Sequence, residues 1–381
     1  MRHLLLRDWE PGGVLSDNRA AHAAADRHGR LHFLLDHLAV PQAALTRRFR
    51  TAMPILRILV LLLLIGGTPA QGFAATLRPS SLIFYDYPGA TVVVVEKSGC
   101  DLRIYRYGTK WENVARYSCT TGQKTGDKLR EGDLRTPNGV FWTVQQWTDT
   151  ELIQTYGQDA QVYGAGAFVL NYPNYLDRLL FDKSGNGIWL HGSAQWLPGA
   201  TRGCISVNNW DFARLVPQIA ARETPVIISE SFRLVTDKKL IPVQQYLFNF
   251  LEQWRTAWES NQTEAYLKHY SEDFRNEHWN YEGWTAYKRE VNQANQDRSI
   301  QISNVSILEY ENIYHIRFVQ HYESTETKDL GWKELYVRRE GSQLRILSEV
   351  WRTLEKDFQP LQPNPSPSFL MAFKEFGTPS M

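Results

Sequence analysis

Cysteine is scarce in this 381-residue chain: there are three, Cys100, Cys119 and Cys204. So few thiols exclude a disulfide-dense scaffold, and an odd number leaves one over whenever two pair. Metal-ligand spacing is missing, since no His, Cys, Asp or Glu recur in a pattern that closes a metal site. No glycine-rich loop stands between a strand and a helix to cradle a phosphate. No metal and no cofactor are expected on those grounds. Net charge is nearly absent at +1, and residues 1–57 carry nine Arg, no Lys and five acids, leaving 33 basic against 36 acidic residues in the rest. No nucleic-acid footprint survives that subtraction. The apolar run Ile58–Ile65 falls short of the ~20 residues that span a bilayer. Core material is plentiful: 43% hydrophobic and 13% aromatic residues suffice for two or three domains.

Residues 1–52 are rich in Ala, hold five of the ten His and show no core-building periodicity. From Met53 the chain reads like a fresh start. Arg57 precedes the apolar run, and Gly66-Gly67-Thr68-Pro69-Ala70 follows it, the n-region, h-region and small-residue exit of a secretory signal peptide. Residues 53–75 are therefore expected to be a signal peptide or an N-terminal anchor, the only expected tie to a membrane. Residues 1–52 are expected to be a non-structural upstream extension, and the body of the protein to lie outside the cytoplasm.

Thr91–Lys97, Leu102–Tyr107 and Glu112–Ser118 read as strands of a meander with turns at Ser98–Asp101 and Gly108–Lys110. That arrangement puts Cys100 near Cys119. A disulfide between them closes a loop of about twenty residues and contributes roughly 3 kcal/mol; the other reading is two small buried thiols. With the pair closed, Cys204 is the odd thiol.

Cys204 lies in IWLHGSAQWLPGATRGCISV, residues 188–207. Ile188–Leu190 reads as a buried strand ending in His191-Gly192, and a loop then leads to Thr201-Arg202-Gly203-Cys204. A thiol with a pKa near ~8.5 needs a base or positive charge to become a nucleophile. His191 is the candidate base and Arg202 the charge. The Gly203 and Cys204 N–H groups are candidates for an oxyanion hole. These residues resemble the L,D-transpeptidase catalytic domain (YkuD-type), whose signature is a His, a loop, and then Ser/Thr-His-Gly-Cys. Thr201, Gly203, Cys204 and Ile205 match; Arg202 replaces the second His, Ser206 replaces the usual Asn or Arg, and the nine-residue loop is short. The resemblance implies catalytic roles for Cys204, His191 and Gly203, and substrate contacts for Arg202, Thr201, Gly192, Tyr172 and Ser206. Arg202 is expected to bind a substrate carboxylate, which suits a planar fork.

The resemblance extends to Gly126-Asp127 and Thr136-Pro137-Asn138-Gly139, in a stretch whose Gly and Pro density predicts a long ordered loop. Val140–Trp147 and Val162–Leu170 are expected strands. Asn171-Tyr172-Pro173-Asn174, followed by Asp177-Arg178, resembles a substrate-holding segment in the wall-trimming branch, or is a turn satisfying its own backbone. Asn208 can cap a helix over Asn209–Ala221, which Pro217 shortens; Val226–Ser229 then closes the sheet. The catalytic domain is placed at 85–230.

Residues 231–243 suit a linker. The apolar stripe of Gln244–Glu259, further helices at Glu264–Tyr270 and Trp284–Asn295, and four strands from Ile300 to Trp351 predict an α+β domain over 244–355. Its order resembles the cone-shaped nuclear transport factor 2-like (NTF2-like) fold, and a Pro-rich tail, 356–381, follows. The fold class expected is thus a mainly β YkuD-type domain, a β-sandwich with helix, followed by an α+β cone. That pairing resembles L,D-carboxypeptidases that set cell shape. It implies a periplasmic enzyme acting on peptidoglycan stem peptides, by L,D-transpeptidation or by trimming tetrapeptide to tripeptide. The altered motif also admits a non-catalytic wall-binding protein. Six of the thirteen Trp fall between Trp254 and Trp351, so a glycan or protein contact through the C-terminal domain is a further expectation.

Overall fold

A computed structural model describes residues 76–194, 200–294 and 297–354. The upstream extension, the signal segment, part of the loop between His191 and Thr201, and the Pro-rich tail lie outside the described residues. The described residues all fall within one compact unit.

The predicted meander is present as β3 (Thr91–Glu96), β4 (Asp101–Tyr107) and β5 (Trp111–Ser118). It forms one flank of an eight-stranded sheet of order β5-β4-β3-β10-β6-β7-β8-β9. Here β6 is Gly139–Thr148, β7 Gly166–Leu170, β8 Trp189–Ser193, β9 Ile205–Asn208 and β10 Pro225–Ser229. Strand β6 is the hinge of the sheet. Its first residues pair with β10, its later ones with β7, and the register shifts between Thr143 and Gln145. Val93, Val95, Leu102 and Ile104 from one flank and Phe168, Leu170, Leu190 and Ile205 from the other share a buried cluster, so the sheet folds over a common core as a sandwich does. Strand β10 does not close an edge; it runs parallel to β3 in mid-sheet.

Between β6 and β7 the expected strand from Val162 begins only at Gly166. Residues 149–163 are helical instead: α1 (Asp149–Tyr156) and a 3-10 turn, Gly157–Tyr163. The cause is a capping box, in which Thr148 Oγ1 accepts the Glu151 N–H and Glu151 accepts the Thr148 N–H. Helix α2 (Tyr175–Leu179) starts on a similar box between Asn174 and Asp177. Asn208 caps α3 (Asn209–Leu215) as expected, and Pro217 falls in the 3-10 turn that ends it.

The C-terminal domain matches its expectation: α4 (Asp237–Glu259), α5 (Thr263–Leu267) and α6 (Tyr281–Ala294) precede β12 (Arg298–Tyr310), β13 (Ile313–Ser324), β14 (Lys328–Glu340) and β15 (Gln343–Thr353). The linker expectation fails. Residues 234–236 form β11, paired with β1 (Leu77–Pro79), and 237–243 are already α4. Strand β2 (Leu82–Phe84) joins the C-terminal sheet beside β12. Both crossings leave the two domains sharing secondary structure. Arg317, from β13, lies between the Trp142 and Trp332 rings at 4.0 and 3.9 Å and donates to the Arg222 carbonyl.

Candidate active site

His191 lies on β8, and Cys204 leads into the parallel neighbouring strand β9. His191 pairs with Ser206 in the β8–β9 register, and Cys204 immediately precedes β9. His191 is buried, and its Nδ1 lies 2.6 Å from the Gly192 carbonyl oxygen. A carbonyl only accepts, so Nδ1 carries the proton and Nε2 is the basic nitrogen. Burial holds the imidazole below its ordinary 6.5, with the Gly192 hydrogen bond working in opposition. It is neutral near pH 7.

Cys204 is half-buried, and its thiol donates to the Gly187 carbonyl at 3.3 Å. Burial pushes its pKa up, partly opposed by the Trp189 N–H and the Lys128 charge. The resting pair is therefore a thiol and a neutral imidazole. Tyr163 links their surroundings: its ring stands edge-on to His191 at 5.3 Å and lies 4.4 Å from Trp189, and Cys204 packs against the same cluster.

The turn carrying Cys204 is held from beneath. Thr136 Oγ1 donates to the Gly203 carbonyl at 2.9 Å and accepts the Gly122 N–H at 2.8 Å. Thr201 N–H donates to Thr121 O, and Gln123 N–H to Thr201 O. Gly203 has φ +135°, and a Cβ there would stand 2.8 Å from Arg135 O; only glycine fits. Gly192 is similarly confined, since a Cβ would meet Asn209 Oδ1 at 2.6 Å.

Several expected site residues take other positions. The Gly203 N–H donates to Thr201 Oγ1, and Thr201 Oγ1 donates to the Cys204 carbonyl at 2.6 Å. Both groups are thus engaged inside the turn, and of the expected oxyanion pair the Cys204 N–H is left. Tyr172 is 4% exposed and donates to the Lys128 and Ser184 carbonyls; burial of its ring against Phe141 makes it a brace for the 128–139 loop instead of a substrate contact. Ser206 is buried beside His191, its backbone bonded both ways to Thr120. Arg202 is exposed and makes no ion pair or hydrogen bond among the described residues. Cys100 and Cys119, the expected disulfide pair, lie together as free thiols, with Cys119 N–H donating to Cys100 O at 2.8 Å.

Two residues of the site give little sign of their role in the sequence. Thr136 sits in a motif whose Gly and Pro signal only a loop. Tyr163 falls in a stretch that reads as a strand, although Thr148-x-x-Glu151 is a legible helix start.

Residues 90–228 match the L,D-transpeptidase catalytic domain (YkuD), and residues 246–350 match the Cds6 C-terminal NTF2-like domain. Among solved structures, Bd1075 of Bdellovibrio bacteriovorus is 27% identical, with TM-score 0.64, covering 74% of this chain and 100% of its own. The helical cell shape determining protein Pgp2 of Campylobacter jejuni is also 27% identical, with TM-score 0.58, covering 68% of this chain and 91% of its own. A search of curated protein sequences finds no match.

Proposed function

From a chain that joins an L,D-transpeptidase catalytic domain to an NTF2-like domain, we propose a cysteine acyltransferase that cuts peptidoglycan stem peptides before their terminal D-alanine. The observation that carries this reading is Cys204 placed two residues before Ser206, the strand partner of His191, whose Nδ1 is tied to Gly192 and whose Nε2 is basic. In the reaction Sγ turns from Gly187 O, and Nε2 takes its proton as the sulfur attacks the carbonyl of the third residue, a diamino acid. The Cys204 N–H faces the oxyanion. The leaving D-alanine amine takes the proton back from His191. Water then attacks the thioester and restores the thiol, releasing tripeptide.

Water is favoured over an amine as acceptor because the two-domain layout is shared along 91% of a protein described as determining helical cell shape, an outcome that trimming can bring about. Arg202, exposed beside the nucleophile, holds a substrate carboxylate. The enzyme is exported to the periplasm, where this substrate is. Incubation with disaccharide-tetrapeptide, with and without an amine acceptor, tests the reading by mass spectrometry. Loss of one D-alanine supports hydrolysis, a cross-linked dimer supports transfer, and an unchanged substrate supports a non-catalytic wall-binding protein.

A second reading concerns the cone, which we infer to contact a glycan strand. Buried Lys288 stands 4.4 Å from the Trp284 ring and 4.9 Å from Trp258, while Trp284 Nε1 and Gln320 Oε1 are buried without a hydrogen-bond partner. Rings and unanswered polar groups in one interior suit a sugar. Lys288→Met should weaken binding to soluble glycan strands by calorimetry and leave tetrapeptide turnover unchanged; unaltered binding would refute this role.

A further inference from the structure

Cys100, in the turn that leads into β4, and Cys119, just after β5, flank the Asp101↔Ser118 pair, and the Cys119 N–H donates to the Cys100 carbonyl at 2.8 Å. A direct backbone hydrogen bond holds two residues close enough for a disulfide, whose Cα atoms stand about 4.4–6.8 Å apart. The two thiols differ in access: Cys119 is 4% exposed, and Cys100 sits half-buried at the turn. They also differ in chemistry. The Cys100 thiol reaches Lys97 O at 3.7 Å; the neighbouring Cys119 and Thr121 bring its pKa down to about 6, while Cys100 and burial push Cys119 up.

The residues immediately after Cys119 reach the catalytic turn. Thr120 exchanges both backbone hydrogen bonds with Ser206, beside His191. Thr121 O accepts the Thr201 N–H, and Gly122 N–H donates to the Thr136 hydroxyl that supports Gly203. Residues 119–122 are thus the floor of the nucleophile turn. Anchoring their first residue covalently to β4 restrains that floor.

We propose that Cys100 and Cys119 are the target pair of a disulfide-donating oxidoreductase and that the bond they form clamps the floor of the nucleophile turn. The Cys100 thiolate attacks one sulfur of the donor's disulfide, giving a mixed disulfide and one donor thiolate. The Cys119 thiol then loses its proton and its sulfur attacks Cys100 Sγ, expelling the second donor thiolate. One disulfide forms, the donor disulfide is reduced to a dithiol, and two electrons pass to the donor. Cys204, with its thiol turned to Gly187 and its floor on the far side of Thr120, takes no part.

Oxidised glutathione serves as the probe on the full chain, followed by alkylation and peptide mass mapping. The expected result is one alkylated thiol, Cys204, and a Cys100–Cys119 cross-link. Dithiothreitol should restore three alkylated thiols, lower Tm by roughly 5 °C and speed amide exchange at Thr201 and Ser206. Cys100→Ser should show no reductant-dependent change in Tm; if it does not fold, the thiol count of the unaltered chain still decides. Three free thiols at equilibrium with the probe, or a cross-link to Cys204, overturns the pairing. A cross-link that leaves Thr201 and Ser206 exchange unchanged overturns the clamp. None of these readouts depends on turnover, so they stand or fall apart from the acyl-transfer reading.

Discussion

His191 and Cys204 are both neutral at rest, and that sets the pH behaviour of the site. Burial lowers the imidazole pKa and raises the thiol pKa, so no thiolate–imidazolium pair forms before substrate arrives, and the base must act during attack. The acid limb of kcat/KM should fall below the 6.5 of an ordinary histidine, because the neutral base persists to lower pH. Alkylation of Cys204 by iodoacetamide should be slow at pH 7 and rise only above the usual thiol range. A fast alkylation plateau at neutral pH would contradict both statements. Arg202 separates from this chemistry: Arg202→Gln should raise KM several-fold and leave the alkylation profile in place, as expected of a group that binds a carboxylate without activating sulfur. Cys204, His191 and Gly203 stand out in the sequence as candidates because nucleophile chemistry restricts residue type. The roles of Thr201 and Gly203 N–H do not, because a hydroxyl two residues from a free amide captures it, and the motif is silent on which partner wins.

At the scale of elements, the 119–139 loop and the nucleophile turn behave as one body joined through Thr136. Thr136→Val leaves the Gly203 carbonyl and the Gly122 N–H without their buried partner, which should cost about 1–3 kcal/mol; the serine variant, which keeps the hydroxyl, should recover most of it in thermal unfolding. Asp133 organises the other end of the loop. Its carboxylate accepts the Leu129, Arg130 and Arg135 N–H groups and the Lys128 ammonium. Burial opposes ionisation there, yet these partners bring its pKa down from 3.8 to about 2. Its contribution is thus full above about pH 4 and is lost as pH falls through about 2; Asp133→Asn should abolish that part of the acid transition in a pH titration of stability. Strand and helix existence was readable from periodicity along most of the chain. The helical character of 149–163 was not, because aromatic and β-branched residues near Val162 look like a strand, while the capping box that decides the matter lies a full helix upstream.

For the molecule as a whole, the boundary between domains is a packed joint. Arg317 stacked between Trp142 and Trp332, and strands β1 and β2 lodged against the C-terminal domain, couple the two cores. A desolvated cation–π contact is worth up to ~2 kcal/mol. Arg317→Ala should therefore lower stability by a comparable amount and split a single thermal transition into two in calorimetry; an unaltered single transition would show the joint to be unimportant. No linker pattern foretold this, since residues 231–243 carry charge and proline yet enter β11 and α4, with β11 held by a partner strand from the far N-terminal side of the catalytic domain. Long-range register of that kind leaves no local trace.

The chemistry proposed for this chain stands on a covalent intermediate at Cys204, which intact-protein mass spectrometry after rapid acid quench of a disaccharide-tetrapeptide reaction would reveal. The unaltered chain should carry an adduct of disaccharide-tripeptide mass, mapped to Cys204; Cys204→Ala should carry none and lose turnover by about 10³-fold or more. Undiminished release of D-alanine by Cys204→Ala would show that the acyl group never passes through this sulfur.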